Sequence, residues 1–200
     1  GKPAIGIWTS VGSSRMAKVH ATSDLDFIVV DIEHDVQDFP ALRRFLLEVQ
    51  DFHHRFRTEA RPAPVVLIKT GHRATWNAQF EIAQSLKAGP AMGVWVPFVE
   101  SRADLEQVIS AVRHAETLYG SGINVPLGEA DVWPLNPDGE LFAVAMIESQ
   151  EAVDNIHEIL EAPVSAILVV PGDMAMDLGL GPNPSGQNHP EVDAAFQTVL

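Results

Sequence analysis

The 200-residue sequence contains no cysteine. Disulfides, thiolate metal sites and a cysteine nucleophile are therefore excluded, and a cytoplasmic location is the expectation. Basic residues are scarce: 13 Lys and Arg stand against 27 Asp and Glu, a formal net charge of −14. Nucleic acid and anionic membranes require basic surface, so neither is an expected partner. No run approaches the roughly 18 apolar residues of a membrane span. The start, Gly1-Lys2-Pro3, lacks the apolar segment of a signal peptide. Neither G-x-G-x-x-G nor a Walker sequence occurs, which weakens a nucleotide-binding reading.

What the chain does have is 46% apolar residues, enough for the core of one domain, expected to span residues 1–200. Short apolar runs alternate with helical patterns. Residues 4–8 read as a strand, followed by a small-residue loop and a helix with Met16, Ala17, Val19, His20 and Ala21 on one face. Phe27-Ile-Val-Val-Asp31 is a second strand. Asp38 can cap the next helix, with Pro40 in its first turn and Leu42, Phe45, Leu46 and Val49 at helical spacing through Arg57. Residues 64–68 and 93–97 are further strands, separated by a helical pattern over 76–88 that carries Phe80, Ala83 and Leu86. Ser101 caps a helix with Leu105, Val108, Ile109 and Val112. An irregular stretch over about 119–140 has the character of a lid and could hide a short strand. Residues 142–147 form a strand, Ser149 caps a helix lined by Val153, Ile156, Ile159 and Leu160, and residues 166–170 form a sixth strand. A last helix starts after Pro190. The expectation is an α/β fold with a parallel sheet; a (β/α)8 barrel and a doubly wound sheet both satisfy the pattern.

Strands in such folds end at the active-site edge. One runs into Asp31, Glu33 and His34, another into Glu148, and Asp173 lies just past a third. A lone carboxylate in that position reads as a helix cap or first-turn acid. Several together point to a site for Mg²⁺ or Mn²⁺, which prefer oxygen ligands.

The motifs Gly6-Ile-Trp8, Asp26-Phe-Ile-Val-Val-Asp31-Ile-Glu33-His34, Gly93-Val-Trp-Val-Pro97, Met146-Ile-Glu148-Ser149, Pro171-Gly-Asp173-Met174 and Asp177-Leu-Gly179 occur in this order. Together they resemble the HpcH/HpaI aldolases, metal-dependent pyruvate aldolases of class II. The resemblance implies a (β/α)8 TIM barrel and reversible cleavage of a 4-hydroxy-2-oxo acid to pyruvate and an aldehyde. It implies a divalent cation (Mg²⁺, Mn²⁺ or Co²⁺) held by Glu148 and Asp173, which binds the pyruvate oxygens and stabilises the enolate. His34, partnered by Asp31, would move the proton of the C4 hydroxyl. Trp8 would line the pocket, Glu33 would orient the groups around it, and the backbone around Gly172 and Met174 would donate to the pyruvate carboxylate. A cation after the third strand would neutralise the enolate oxygen; Arg73 is favoured for its two-pronged hydrogen bonding, with Lys69 as the fallback. A homo-oligomer, a hexamer in the family, is implied.

The chain also departs from the pattern. A Pro-Pro-x-Gly-x-Arg-Gly stretch is replaced by Tyr119-Gly-Ser-Gly-Ile-Asn, and the usual glycine before Pro171 is Val170. The sequence ends at Leu200, before the last strand and helix of a complete barrel. Two other readings stand beside it: a CoA-ester lyase of the citrate lyase β-subunit type, which shares the Glu/Asp metal logic but lacks here a basic cluster for the CoA phosphates, and a barrel kept for binding or assembly, to which the shortened end and the missing Arg-Gly stretch point. His53 and His54 read as surface residues, Met174 and Met176 as packing, and Trp133 as part of a lid or a subunit contact.

Overall fold

The computed structural model describes residues 2–35, 37–56, 63–71, 73–74, 78–119, 131–181 and 184–200. Six strands, β1 (Gly6–Ser10), β2 (Phe27–Asp31), β3 (Val65–Lys69), β4 (Gly93–Val96), β5 (Phe142–Ile147) and β6 (Ala166–Val169), form one sheet in sequence order. Every pairing is parallel. Between them run α1 (Ser14–Thr22), α2 (Phe39–Phe56), α3 (Gln79–Ala88), α4 (Arg102–Tyr119), α5 (Gln150–Asp154) and α6 (Ile156–Ile159). After β6 come α7 (Pro171–Asp177), α8 (Pro184–Gln187) and α9 (Pro190–Val199). The sheet curls like part of a barrel. Among the described residues β1 pairs only with β2 and β6 only with β5, so the curl has two free edges.

The strands form where β-branched and aliphatic residues run together. In β2, Ile28, Val29 and Val30 are each at most 1% exposed, buried on both faces as in other helix-covered parallel sheets. Parallel order sends every strand's C-terminal end to the same edge. Register then aligns Ser10, Asp31, Lys69, Trp95, Val144 and Ala166 across the sheet. Asp31 and Lys69 are thus direct cross-strand neighbours. On the inner face Phe27, Val65, Leu67, Trp95, Phe142 and Val144 line a cleft of about 430 Å³.

Capping explains where helices begin. The Asp38 carboxylate accepts from the Ala41 N–H at 2.9 Å ahead of α2. Ser101 Oγ accepts from the Asp104 N–H at 3.2 Å and donates to the Asp104 carboxylate at 2.8 Å, opening α4. Ser149 Oγ accepts from the Ala152 N–H at 3.2 Å, opening α5. Ser13 stands ahead of α1 without a side-chain bond.

Several side chains expected inside are outside. Met16 and Val19 are exposed, because α1 turns its small residues Ala17 and Ala21, with His20, inward, and the Phe45 ring fills the space beside His20. In α3 the core stripe is Ile82, Ala83 and Leu86, so Phe80 faces solvent. The helix expected through Leu160 breaks at Asn155, which leaves Leu160 exposed. Met174 packs as expected, whereas Met176 is exposed. His53 is half-buried, with Nδ1 3.1 Å from the Ala21 carbonyl.

Residues 57, 75–77 and 120–130, at the ends of expected helices and in the irregular stretch, lie outside the described residues. The described remainder of that stretch holds only an isolated bridge, Val132 to Leu141, in place of the short strand considered there. No helix among the described residues is long and apolar enough to cross a membrane.

Burial separates two phenylalanines that look alike in sequence. Phe45→Ala is expected to cost about 3–5 kcal/mol of stability. Phe80→Ala is expected to change it by less than about 0.5 kcal/mol. Urea denaturation of both variants checks the contrast, and comparable losses would contradict the packing described.

Candidate active site

Strand β2 delivers Asp31 almost fully buried to the C-terminal edge, and four donors converge on it. Oδ1 accepts from the backbone N–H groups of Glu33 at 2.8 Å and His34 at 3.1 Å. Oδ2 accepts from Trp8 Nε1 at 2.8 Å and lies 2.8 Å from His34 Nδ1. Burial pushes the Asp31 pKa up, but the His34 and Trp8 hydrogen bonds and the Lys69 charge outweigh it, and the net shift is downward. Asp31 is therefore ionised near neutral pH. An ionised carboxylate can only accept, so Nδ1 of His34 carries the proton and Nε2 is left for other chemistry. The His34 side chain is 70% exposed, open to an incoming molecule.

Beside Asp31, β3 ends in Lys69, which is 3% exposed. Lys69 is the last residue of the strand, one position earlier than a loop cation would be. Its ammonium forms an ion pair with Glu33 and lies 5.5 Å from the centre of the Trp8 ring. Trp8 meets Trp95 edge-on at 5.5 Å. Burial lowers the Lys69 pKa, while Asp31, Glu148, Asp173 and Glu81 pull it back up without cancelling the shift. Arg73 rests its guanidinium 3.5 Å above the Phe98 ring, and its charge reaches Glu148. Lys69 is thus the cation packed among the carboxylates, and Arg73 is the one held against an aromatic shelf.

Glu148, immediately after β5, is 1% exposed. It accepts from the Phe98 N–H at 3.0 Å. Burial pushes its pKa up to about 7, opposed by the Phe98 bond, reinforced by Asp173, and opposed again by Lys69 and Arg73. Asp173 sits in the first turn of α7. A buried carboxylate that resists ionisation beside a second acid is a setting that a hard divalent cation relieves, so Glu148 and Asp173 suit Mg²⁺ or Mn²⁺. Asp31, Glu33 and His34 also bring one ligand atom each within 4.8 Å of one another.

The Met174 N–H donates to the Val170 carbonyl at 3.1 Å, as the fifth residue of a helical turn does. Gly172 remains in the first turn, ahead of that ladder.

A profile of the HpcH/HpaI aldolase/citrate lyase family matches residues 4–200. The chain belongs to the HpcH/HpaI aldolase/citrate lyase family. A 4-hydroxy-2-oxo-heptane-1,7-dioate aldolase of Klebsiella pneumoniae is 28% identical over 207 residues, covering 100% of this chain and 71% of that protein. A HpcH/HpaI aldolase/citrate lyase family structure from Burkholderia cenocepacia superposes with a TM-score of 0.75 at 21% identity, over 100% of this chain and 75% of the other. The citrate synthase SbnG superposes with a TM-score of 0.73 at 21% identity, over 99% and 72%. These superpositions establish the shared fold.

Phe98 escaped the sequence reading. It has φ 51°, a left-handed backbone that is strained for a bulky residue, and this conformation accompanies the N–H bond to Glu148. No sequence signal marks it, because the residues that favour such a backbone are Gly, Asn and Asp.

A carboxyl group whose folded pKa lies above its unfolded value holds its proton more tightly when folded. For Glu148 that contribution to stability is complete below its ordinary pKa of 4.5 and is lost as pH rises through about 7. Glu148→Gln, which cannot ionise, should lose less stability than the wild type across that interval. Urea denaturation in EDTA at a series of pH values provides the comparison; parallel pH profiles would contradict the burial of a strained charge at this position.

Proposed function

We propose that this family member is a divalent-metal-dependent carbon–carbon lyase, cleaving a 4-hydroxy-2-oxo acid to pyruvate and an aldehyde and catalysing the reverse addition. The single observation that carries the reading is the Asp31–His34 dyad standing beside buried Lys69 and Glu148 at one sheet edge. In this reading the six strands belong to a (β/α)8 barrel. Glu148 and Asp173 hold Mg²⁺, Mn²⁺ or Co²⁺, which supplies Lewis acidity toward the oxygens of the oxo acid.

The remaining roles belong to the protein's own groups. Asp31 fixes the His34 ring, and Nε2 takes the C4 hydroxyl proton as the C3–C4 bond breaks and its electron pair passes into the pyruvate enolate; C3 then gains a proton to give pyruvate, and the reverse reaction runs these transfers backward. Lys69, buried and charged, faces the oxygen on which negative charge develops. Its position supports giving it the enolate-neutralising role, with Arg73 as an outer cation. Glu33 holds the Lys69 ammonium, and Trp8 keeps Asp31 in register while walling the pocket beside it. The first turn of α7, at Gly172, faces the substrate carboxylate.

Pyruvate release from a series of 4-hydroxy-2-oxo acids, measured with Mg²⁺ or Mn²⁺ and again in excess EDTA, tests the proposal. Metal-dependent release is expected, with kcat lowered about 10²- to 10⁴-fold in His34→Ala. Absence of pyruvate across the series, or release indifferent to EDTA, would refute it.

A further inference from the structure

Glu81 lies in the first turn of α3, where an acid ordinarily sits in solvent and complements the helix dipole. Here it is 3% exposed. Its Oε1 accepts two hydrogen bonds, from the Gly71 backbone N–H at 2.7 Å and from Gln37 Nε2 at 3.0 Å. Gly71 lies two residues past Lys69, and Gln37 lies three past His34. One carboxylate oxygen therefore ties the loop after β2 to the loop after β3.

A second observation shows how closely the two loops meet. A Cβ on Gly71 would lie 2.4 Å from Gln37 Nε2, 3.2 Å from Glu81 Oε1 and 3.4 Å from the Glu33 Cα. Gly71 is the residue that allows the backbone of one loop to rest on the backbone that carries Glu33. Glu33 in turn pairs with Lys69, and the Glu81 charge itself reaches Lys69.

We propose that Glu81 is a positioning residue that clamps the Glu33–His34 loop to the Lys69–Gly71 segment and thereby sets where the Lys69 ammonium stands among the acids. Its link to catalysis rests on the lyase reading above; the clamp itself does not. A buried acceptor with two donors is costly to remove, since both donors lose their partner at once. Glu81→Leu deletes the clamp at similar volume. Glu81→Gln keeps an oxygen acceptor in place and removes the charge.

Two readouts test this. The first is hydrogen–deuterium exchange of the Gly71 amide in the intact metal-free protein. It should be about tenfold or more faster in Glu81→Leu, and close to wild type in Glu81→Gln. The second is steady-state pyruvate release. Glu81→Leu should lower kcat about tenfold or more, with a smaller change in KM, and Glu81→Gln should recover most of kcat. Unchanged Gly71 exchange in Glu81→Leu would overturn the clamp. So would a fall in melting temperature with kcat intact, which marks a purely structural carboxylate. If the wild type releases no pyruvate, the lyase reading fails, and the Gly71 exchange result still decides for or against the clamp.

Discussion

Asp31 accepts from Trp8, from two successive backbone N–H groups and from the His34 ring, in a place where water scarcely reaches. That convergence is the constraint on which the site depends. A buried carboxylate is tolerable only when its lone pairs are satisfied, and these four donors satisfy it. In doing so they turn the chain at the end of β2, anchor β1 to β2 through an indole, and select the His34 tautomer. A neutral amide at position 31 would keep the shape but lose the acceptor that holds the imidazole proton on Nδ1.

Around Asp31 the charges are balanced locally although the protein as a whole is strongly acidic. Lys69 stands among Asp31, Glu33, Glu148, Asp173 and Glu81, each acting on it by contact or through the field. The surrounding acids hold it charged while burial works against the charge. Glu148 experiences the opposite conflict, with too little positive charge close by to offset its burial. A lysine under strain toward neutrality and a glutamate under strain toward protonation, at one sheet edge, is a site prepared for charge to enter or move.

Much of this was legible from sequence, because it rests on local rules. A short, largely β-branched run ending in Asp31 reads as a buried strand with its acid at the edge, and Asp38, Ser101 and Ser149 announce helix starts through short-range hydrogen bonds. What stayed hidden depends on register and on groups distant in the chain. The Trp8–Asp31 bond exists because β1 and β2 pair in parallel with a particular alignment. Hydrogen-bonding capacity favours Arg73 over Lys69 in the sequence; that β3 extends through Lys69 and buries it depends on strand pairing. Glu81 reads as an ordinary first-turn acid until Gly71 and Gln37 are seen folded onto it. Met16, Val19 and Phe80 fit helical stripes equally well in either rotation; packing against α2 and the sheet chose the other one.

The proposed lyase chemistry requires Asp31 and His34 to act together on the proton of the C4 hydroxyl. Pyruvate release from a 4-hydroxy-2-oxo acid in Mg²⁺ buffer, compared between the wild type and Asp31→Asn, measures that step most directly. Release by the wild type is predicted, with kcat about tenfold or more lower in Asp31→Asn while the variant remains folded. Equal rates in the folded variant and the wild type, or no release by either, would contradict it.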